Sequence, residues 1–165
     1  MKTESNIKPS AVIVEEHGDK AEVIFRENIT KETRAQDGEN TVVYVYDEYR
    51  LNVPNRADLL KIVKSANKKW LEAAKAAEYD ALAAEIRAKR NKLLEASDAR
   101  MCLDRIGLDI PSGSTFSAWL AFLKGIADAI SGEWAKYRQQ LRDITKQEGF
   151  PYNVEFPNPP EDKSV

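Results

Sequence analysis

KAEVIFRENITKETRAQDGENTVVYVYDEYRLNVP, residues 20–54, decides the fold. It is rich in the β-branched and aromatic residues that suit a pleated, half-buried surface. Val23 and Phe25 fall on one face of KAEVIFREN, and ITKETR continues as a weaker strand. Asp37-Gly38 is a strong hairpin signal. In TVVYVYDEYRL, Val43, Val45 and Asp47 alternate with Val42, Tyr44, Tyr46 and Glu48. Upstream, AVIVEE is a short β-branched run broken by HGDK, where Gly18 and Asp19 can turn the chain. The pattern predicts a three-stranded antiparallel β-meander. Residues 1–10 are polar, end in Pro9-Ser10, and read as a loose tail. A meander this small is marginally stable alone, so one face should need a covering helix.

Pro54-Asn55 stops the last strand, and Asn55 is placed to cap a helix with Asp58 in its first turn. From Arg56 to Ile106 there is no Gly and no Pro, and Ala, Leu, Lys and Glu dominate. Apolar residues recur at Leu59, Val63, Ala66, Trp70, Ala73 and Ala77, then at Tyr79, Leu82, Ile86 and Leu93. The phase slips near Tyr79-Asp80, so either two helices meet there or one bends. Glu85 and Lys89, four apart, support the second half. An unbroken helix over 56–100 would span about 68 Å at ~1.5 Å per residue. Its stripe needs a partner, which predicts binding of another protein or a homo-oligomer through this long helix, as in a coiled coil.

Residues 101–113 read as a connector, with Gly107 at a helix end and Pro111-Ser112-Gly113 as a loop. STFSAWLAFLKGIADAISG then forms a strongly apolar helix capped by Ser114 or Thr115. Phe116, Trp119, Leu120, Leu123, Ala127 and Ile130 line one broad face, so this helix is expected to be the most buried. Gly132 separates it from a final helix running to about Lys146, with Trp134, Tyr137 and Leu141 on one face and Arg138 and Arg142 on an adjacent one. Gly149 is the expected left-handed cap. Phe150-Pro151 and Phe156-Pro157 force an extended path beyond it. The fold is thus read as α+β: a β-meander domain over 1–54, a long helix or helix pair over 55–106, and a C-terminal helical unit with an aromatic-proline tail over 107–165.

The composition bounds the chemistry. Charged residues make up 32% of the 165, and the formal net charge is −2. Residues 1–55 sum to −4, residues 56–100 to +4 and residues 101–165 to −2. The positive middle reads as a solvated helix face. Its run Arg87, Lys89, Arg90, Lys92 lacks the interleaved aromatics that stack on bases, which argues against nucleic acid. One cysteine, Cys102, excludes an intrachain disulfide framework and fits a reducing compartment. No apolar run approaches the ~18 residues of a membrane span.

No catalytic set emerges. The only histidine, His17, sits in a turn without a partner, whereas a general base must be positioned. Cys102 has no CxxC partner and reads as a packed thiol. Glu15-Glu16 and Asp47-Glu48 are strand and turn charges. There is no GxxxxGK or GxGxxG phosphate loop. Ser112-Gly113-Ser114 before a helix could hold an anion or serve as a plain cap. Composition therefore predicts no enzyme, cofactor or metal site.

The C-terminal stretch WAKYRQQLRDITKQEGFPYNVEFPNPP, residues 134–160, resembles the signature of tail assembly chaperone-like proteins of tailed bacteriophages and prophages. The features are Trp134, Tyr137-Arg138, Leu141-Arg142-Asp143 and a proline-bearing tail from Phe150-Pro151 through Pro157. RAKRNKLLEASD, residues 87–98, is similar to the arginine, double-leucine and aspartate pattern that precedes it. Two departures stand out. Ala99 follows Asp98 where the family has a tryptophan, and an apolar helix within 99–133 replaces a short linker. The resemblance implies a non-enzymatic role in the host cytoplasm, holding a phage tail or tail-fibre protein during assembly. The alternative is a structural component retained in the virion tail or baseplate, and behind it, from the basic middle of the chain, a nucleic-acid-binding accessory protein. Trp134, Tyr137, Arg138, Leu141, Arg142, Phe150 and Phe156 are then the expected partner-binding residues. Whether the arginines staple the tail or face the partner stays open at this level.

Overall fold

The computed structural model describes residues 2–36, 39–98, 110–113 and 115–160. Among the described residues four strands, β1 (Lys2–Ser5), β2 (Val12–His17), β3 (Lys20–Gln36) and β4 (Glu39–Pro54), precede four helices. These are α1 (Leu59–Ser65), α2 (Asn67–Asp98), α3 (Phe116–Ser131) and α4 (Glu133–Arg142), the last running into a 3-10 turn at Asp143–Lys146. The class is α+β.

The sheet has four strands, not three, in the order β1-β4-β3-β2, all antiparallel. The expected meander is β2-β3-β4. The added strand comes from the residues read as a loose tail: Lys2–Ser5 pair with Asp47–Tyr44. KTES has no apolar alternation, so nothing in its side chains announces a strand. Its place on the edge of β4 comes from backbone pairing, helped by a two-pronged contact of Arg34 with Glu4 at 2.9 and 3.1 Å.

Two local devices shape the sheet. Gly18, at φ 67°, and Asp19 make the two-residue turn between β2 and β3. Between Glu27 and Thr30 the register of β3 against β4 slips by one residue. Asn28 takes a left-handed φ of 52° there and donates a 2.7 Å hydrogen bond to Asp47, as a β-bulge that twists the ribbon would require. The Asp37-Gly38 turn lies outside the described residues, but Gln36 and Glu39 on either side of it are paired.

The chain divides into two compact units, Met1–Ala81 and Leu82–Val165. In the first, alternation along β3 puts Ala21, Val23 and Phe25 on one face, where they are buried with Leu59, Val63 and Ala74. Val12, Val14, Tyr49, Leu51, Val53, Trp70 and Leu71 pack around them. Full burial of each large side chain contributes roughly 1.5–3 kcal/mol. The opposite face of β3 holds Ile24, 2% exposed, beside an ionic cluster. Glu48 accepts from Arg26 at 2.9 Å and from Arg50 at 2.7 Å, and Arg50 reaches Glu22 at 3.0 Å.

The helical expectations need three corrections. Asn55 does not cap α1. Its amide nitrogens bond Gly18 O and Asp19 O, at 3.0 and 2.8 Å, closing the sheet end. Asp58 takes the cap position at φ 59° without a side-chain bond. The helix break falls at Ala66, between α1 and α2, and α2 is continuous through Tyr79-Asp80. After the break the buried position moves from Ala73 to Ala74. The early part of α2 supplies Trp70, Leu71 and Ala74 to the first core, and the later part supplies Ile86, Leu93 and Leu94 to the second. The apolar phase slips where α2 passes from one unit to the other.

The third correction concerns α3. Phe116, Trp119, Leu120 and Leu123 are 81%, 42%, 55% and 57% exposed. Apolarity buries a helix only where a surface is available to cover it. In this unit the buried cluster is built from α4, the 3-10 turn, the tail and α2. Cys102, Gly107 and Ser114 lie outside the described residues.

Candidate partner-binding surface

The C-terminal unit closes around Tyr137, Leu141 and Ile144, which are buried. Spacings of four and three bring them to one side of α4 and the turn that follows it. Ile86, Leu93, Leu94, Trp134, Val154 and Phe156 pack against them. The Trp134 ring meets Tyr137 edge-on at 5.7 Å, a favoured aromatic geometry.

Arg138 is held rather than displayed. Its Nη1 donates to Leu94 O at 2.9 Å, to Ser97 Oγ, and to Asp98 Oδ1 at 2.7 Å. Three acceptors at the C-terminal turn of α2 surround one largely buried guanidinium, where a cation also suits the helix dipole. Arg138 therefore staples α4 to α2, not to the tail. Arg142, one turn on, is exposed. Asp143 beside it accepts from Lys146 and Gln139, at 2.6 and 2.9 Å. These bonds, Lys146 first, hold its carboxyl below the usual range.

The tail is fixed by a reciprocal clamp. Gln147 Nε2 donates to Glu155 O at 2.8 Å, and Glu155 N donates to Gln147 Oε1 at 2.9 Å. Gly149 does not adopt the left-handed cap; among described glycines only Gly18 has positive φ. It is needed for a close approach instead. A Cβ there would run into the Asn153 carbonyl and lie 2.9 Å from Asn153 Cβ, in a turn closed by Asn153 N to Gly149 O at 2.7 Å. The Phe150–Pro151 peptide bond is cis. Arg87 lies over the Phe150 ring at 5.5 Å, and Lys89 over Phe156 at 4.2 Å.

Of the seven residues expected to meet a partner, Tyr137 and Leu141 are interior and Arg138 nearly so. Trp134, Phe150 and Phe156 are half-buried, and Arg142 is open. Sequence reasoning did not find Ser97, Gln147 or the cationic cover from Arg87 and Lys89. The basic run read as a solvated face carried the last signal: two cations two apart, and two tail phenylalanines six apart. The carboxylate pairs are structural in the same sense. Asp47 holds Asn28 and Glu48 holds two arginines. Among the described residues no group of three or more His, Cys, Asp or Glu could hold a metal ion. No helix there is long and apolar enough to cross a membrane.

The geometry defines a class: an α+β chain whose last helix, 3-10 turn and clamped aromatic-proline tail close on the later part of a long helix. Residues 83–161 match the family model described as phage tail assembly chaperone protein. Over that segment the chain is similar to phage tail assembly chaperone proteins, the family named in the sequence resemblance. The match supports a role in phage tail assembly. It begins inside α2 and leaves the sheet outside, and it runs through α3. No curated protein and no solved structure matches the chain.

Proposed function

We propose that the protein acts without catalysis, holding a phage tail or tail-fibre protein in the host cytoplasm during assembly. The family match over the C-terminal unit carries this reading. On it, the seven residues divide by exposure. Arg142 and the half-buried Trp134, Phe150 and Phe156 meet the partner. Tyr137, Leu141 and Arg138 hold the unit that carries them. Exposed cations at Arg87, Lys89 and Arg142 in a unit with half-buried aromatics suit a partner surface with an apolar patch beside carboxylates.

The test has two arms. Co-expression with each tail and tail-fibre protein of the same phage should keep one of them soluble, and Arg142→Glu should weaken that effect while leaving the fold intact. Purified particles should then lack the protein. Its retention in particles supports the structural alternative, a subunit of the tail or baseplate. Failure of every tail protein to respond overturns the chaperone reading.

A further inference from the structure

Among the described residues, α3 carries four exposed large apolar side chains in a chain otherwise rich in charge. Phe116, Trp119, Leu120 and Leu123 recur at i, i+3, i+4 and i+7, which makes one continuous stripe. Such a patch marks an interaction surface. The other side of the helix, at Ala118, Phe122, Gly125 and Ile126, is half-buried. Lys124 is the only charged residue between Thr115 and Ala127. No charge pattern therefore selects a partner, and none opposes a like surface.

We propose that this stripe pairs with the same stripe of a second copy of the chain, the two α3 helices running antiparallel. The sequence of the stripe favours that occupant. With the two-fold axis between residues 119 and 120, Phe116 of each helix faces Leu123 of the other. Trp119 likewise faces Leu120. Each aromatic then meets a leucine, the large-against-smaller arrangement that interdigitates well. A parallel pairing would set Phe116 on Phe116 and Trp119 on Trp119. Antiparallel helices also align their dipoles favourably. The exposed area of the four side chains is about 450 Å² per copy, taking ~150–250 Å² for a whole aromatic and somewhat less for a leucine. Two copies together cover about 900 Å², below the ~1,200–2,000 Å² of stable interfaces. The pairing is thus a weak, reversible one. It differs from association through α2, whose Trp70, Leu71, Ile86, Leu93 and Leu94 pack into the two cores. It neither needs nor tests the tail-assembly reading.

Sedimentation equilibrium of the full chain from one to several hundred micromolar should give a monomer–dimer equilibrium in the micromolar range. Leu120→Asp should weaken it by at least about tenfold while far-ultraviolet circular dichroism and the unfolding midpoint stay unchanged. In a Cys102→Ser background, Leu120→Cys should cross-link readily on oxidation and Phe116→Cys should not, because only the former lies near the two-fold axis. Cross-linking of both variants would mean parallel helices and overturn the geometry. An undiminished dimer in Leu120→Asp would place association elsewhere. A chain monomeric throughout, whose Trp119 fluorescence shifts only when a synthetic amphipathic Leu–Lys helix is added, would overturn self-pairing in favour of another protein's helix.

Discussion

Leu141→Ala is the most direct test of the C-terminal unit. Leu141 is 0% exposed, between Tyr137 and Ile144 on its own segment and the Ile86, Leu93, Leu94, Val154 and Phe156 side chains around them. The substitution removes three carbons. Their transfer alone costs about 2.5 kcal/mol at ~0.8 kcal/mol per carbon. A cavity ringed by two helices and a clamped tail cannot collapse fully, which adds about 1 kcal/mol. The expected loss is therefore about 3–4 kcal/mol. In a cooperative unit of this size each kcal/mol lowers the melting temperature by roughly 4–8 °C, so the fall should exceed about 12 °C. Trp134 packs on Tyr137 and reports this unit. Guanidinium unfolding should be followed by its fluorescence in a Trp70→Phe, Trp119→Phe background. Arg142→Ala, at an exposed site, should stay within about 0.5 kcal/mol. A Leu141→Ala midpoint equally close to the parent would refute the packing of α4 and the tail on α2. It would also shift Leu141 from the interior to the partner surface.

Three further outcomes follow from particular contacts. Gly149→Ala should lose about 1–3 kcal/mol because its new methyl meets Asn153 backbone. Gly113→Ala, with nothing within 4 Å, should be near neutral by the same unfolding assay. Arg138→Met keeps the bulk but leaves Leu94 O, Ser97 and Asp98 without their donor. It should cost about 1–3 kcal/mol, and Arg138→Lys should restore only part of that, since one ammonium cannot reproduce the planar fork. In the first unit, burial pushes the Glu48 carboxyl up, but hydrogen bonds from Arg26 and Arg50 outweigh it and hold it below its ordinary value. A carboxyl with a lowered folded pKa contributes stability that is fully present above its unfolded value, about 4.3. That contribution is lost as pH falls through the folded value. Urea midpoints read from Trp70 should therefore drop between neutral pH and pH ~3, and Glu48→Gln should flatten the drop.

The sequence carried most of the architecture where side chains carry the structure. Alternation at Val23 and Phe25, the Gly18-Asp19 turn and the cap-free run after Arg56 each specify an element by their own chemistry. What escaped was decided by backbone or by distant partners. β1 pairs through its main chain, so Lys2–Ser5 look like any polar tail. Asn55 resembles a cap but is taken by the β2–β3 turn, which lies far away in sequence. The Ala66 break lies in backbone angles that leave the helical region, with neither Gly nor Pro to mark it. The apolar content of α3 is plain in the sequence, but pattern shows which face is oily and not whether a second surface exists to cover it.

The same distinction bears on what the C-terminal signature means. Tyr137, Leu141 and Arg138 carry much of the resemblance and lie inside the unit or bind its own helix. Gly149 is fixed by close approach. Residues placed like this preserve a shape: substituting one breaks the closure of tail, α4 and α2 whatever the partner is. A motif of this kind therefore reports architecture strongly and client identity weakly. Under the proposed function, discrimination among partners falls to exposed positions such as Arg142. Those positions can change without unfolding the unit. Variants at Leu141 and Arg138 should thus lose stability and binding together, while Arg142→Glu should lose binding alone. A variant series in which stability and binding always fell together would mean that the exposed residues carry no recognition of their own.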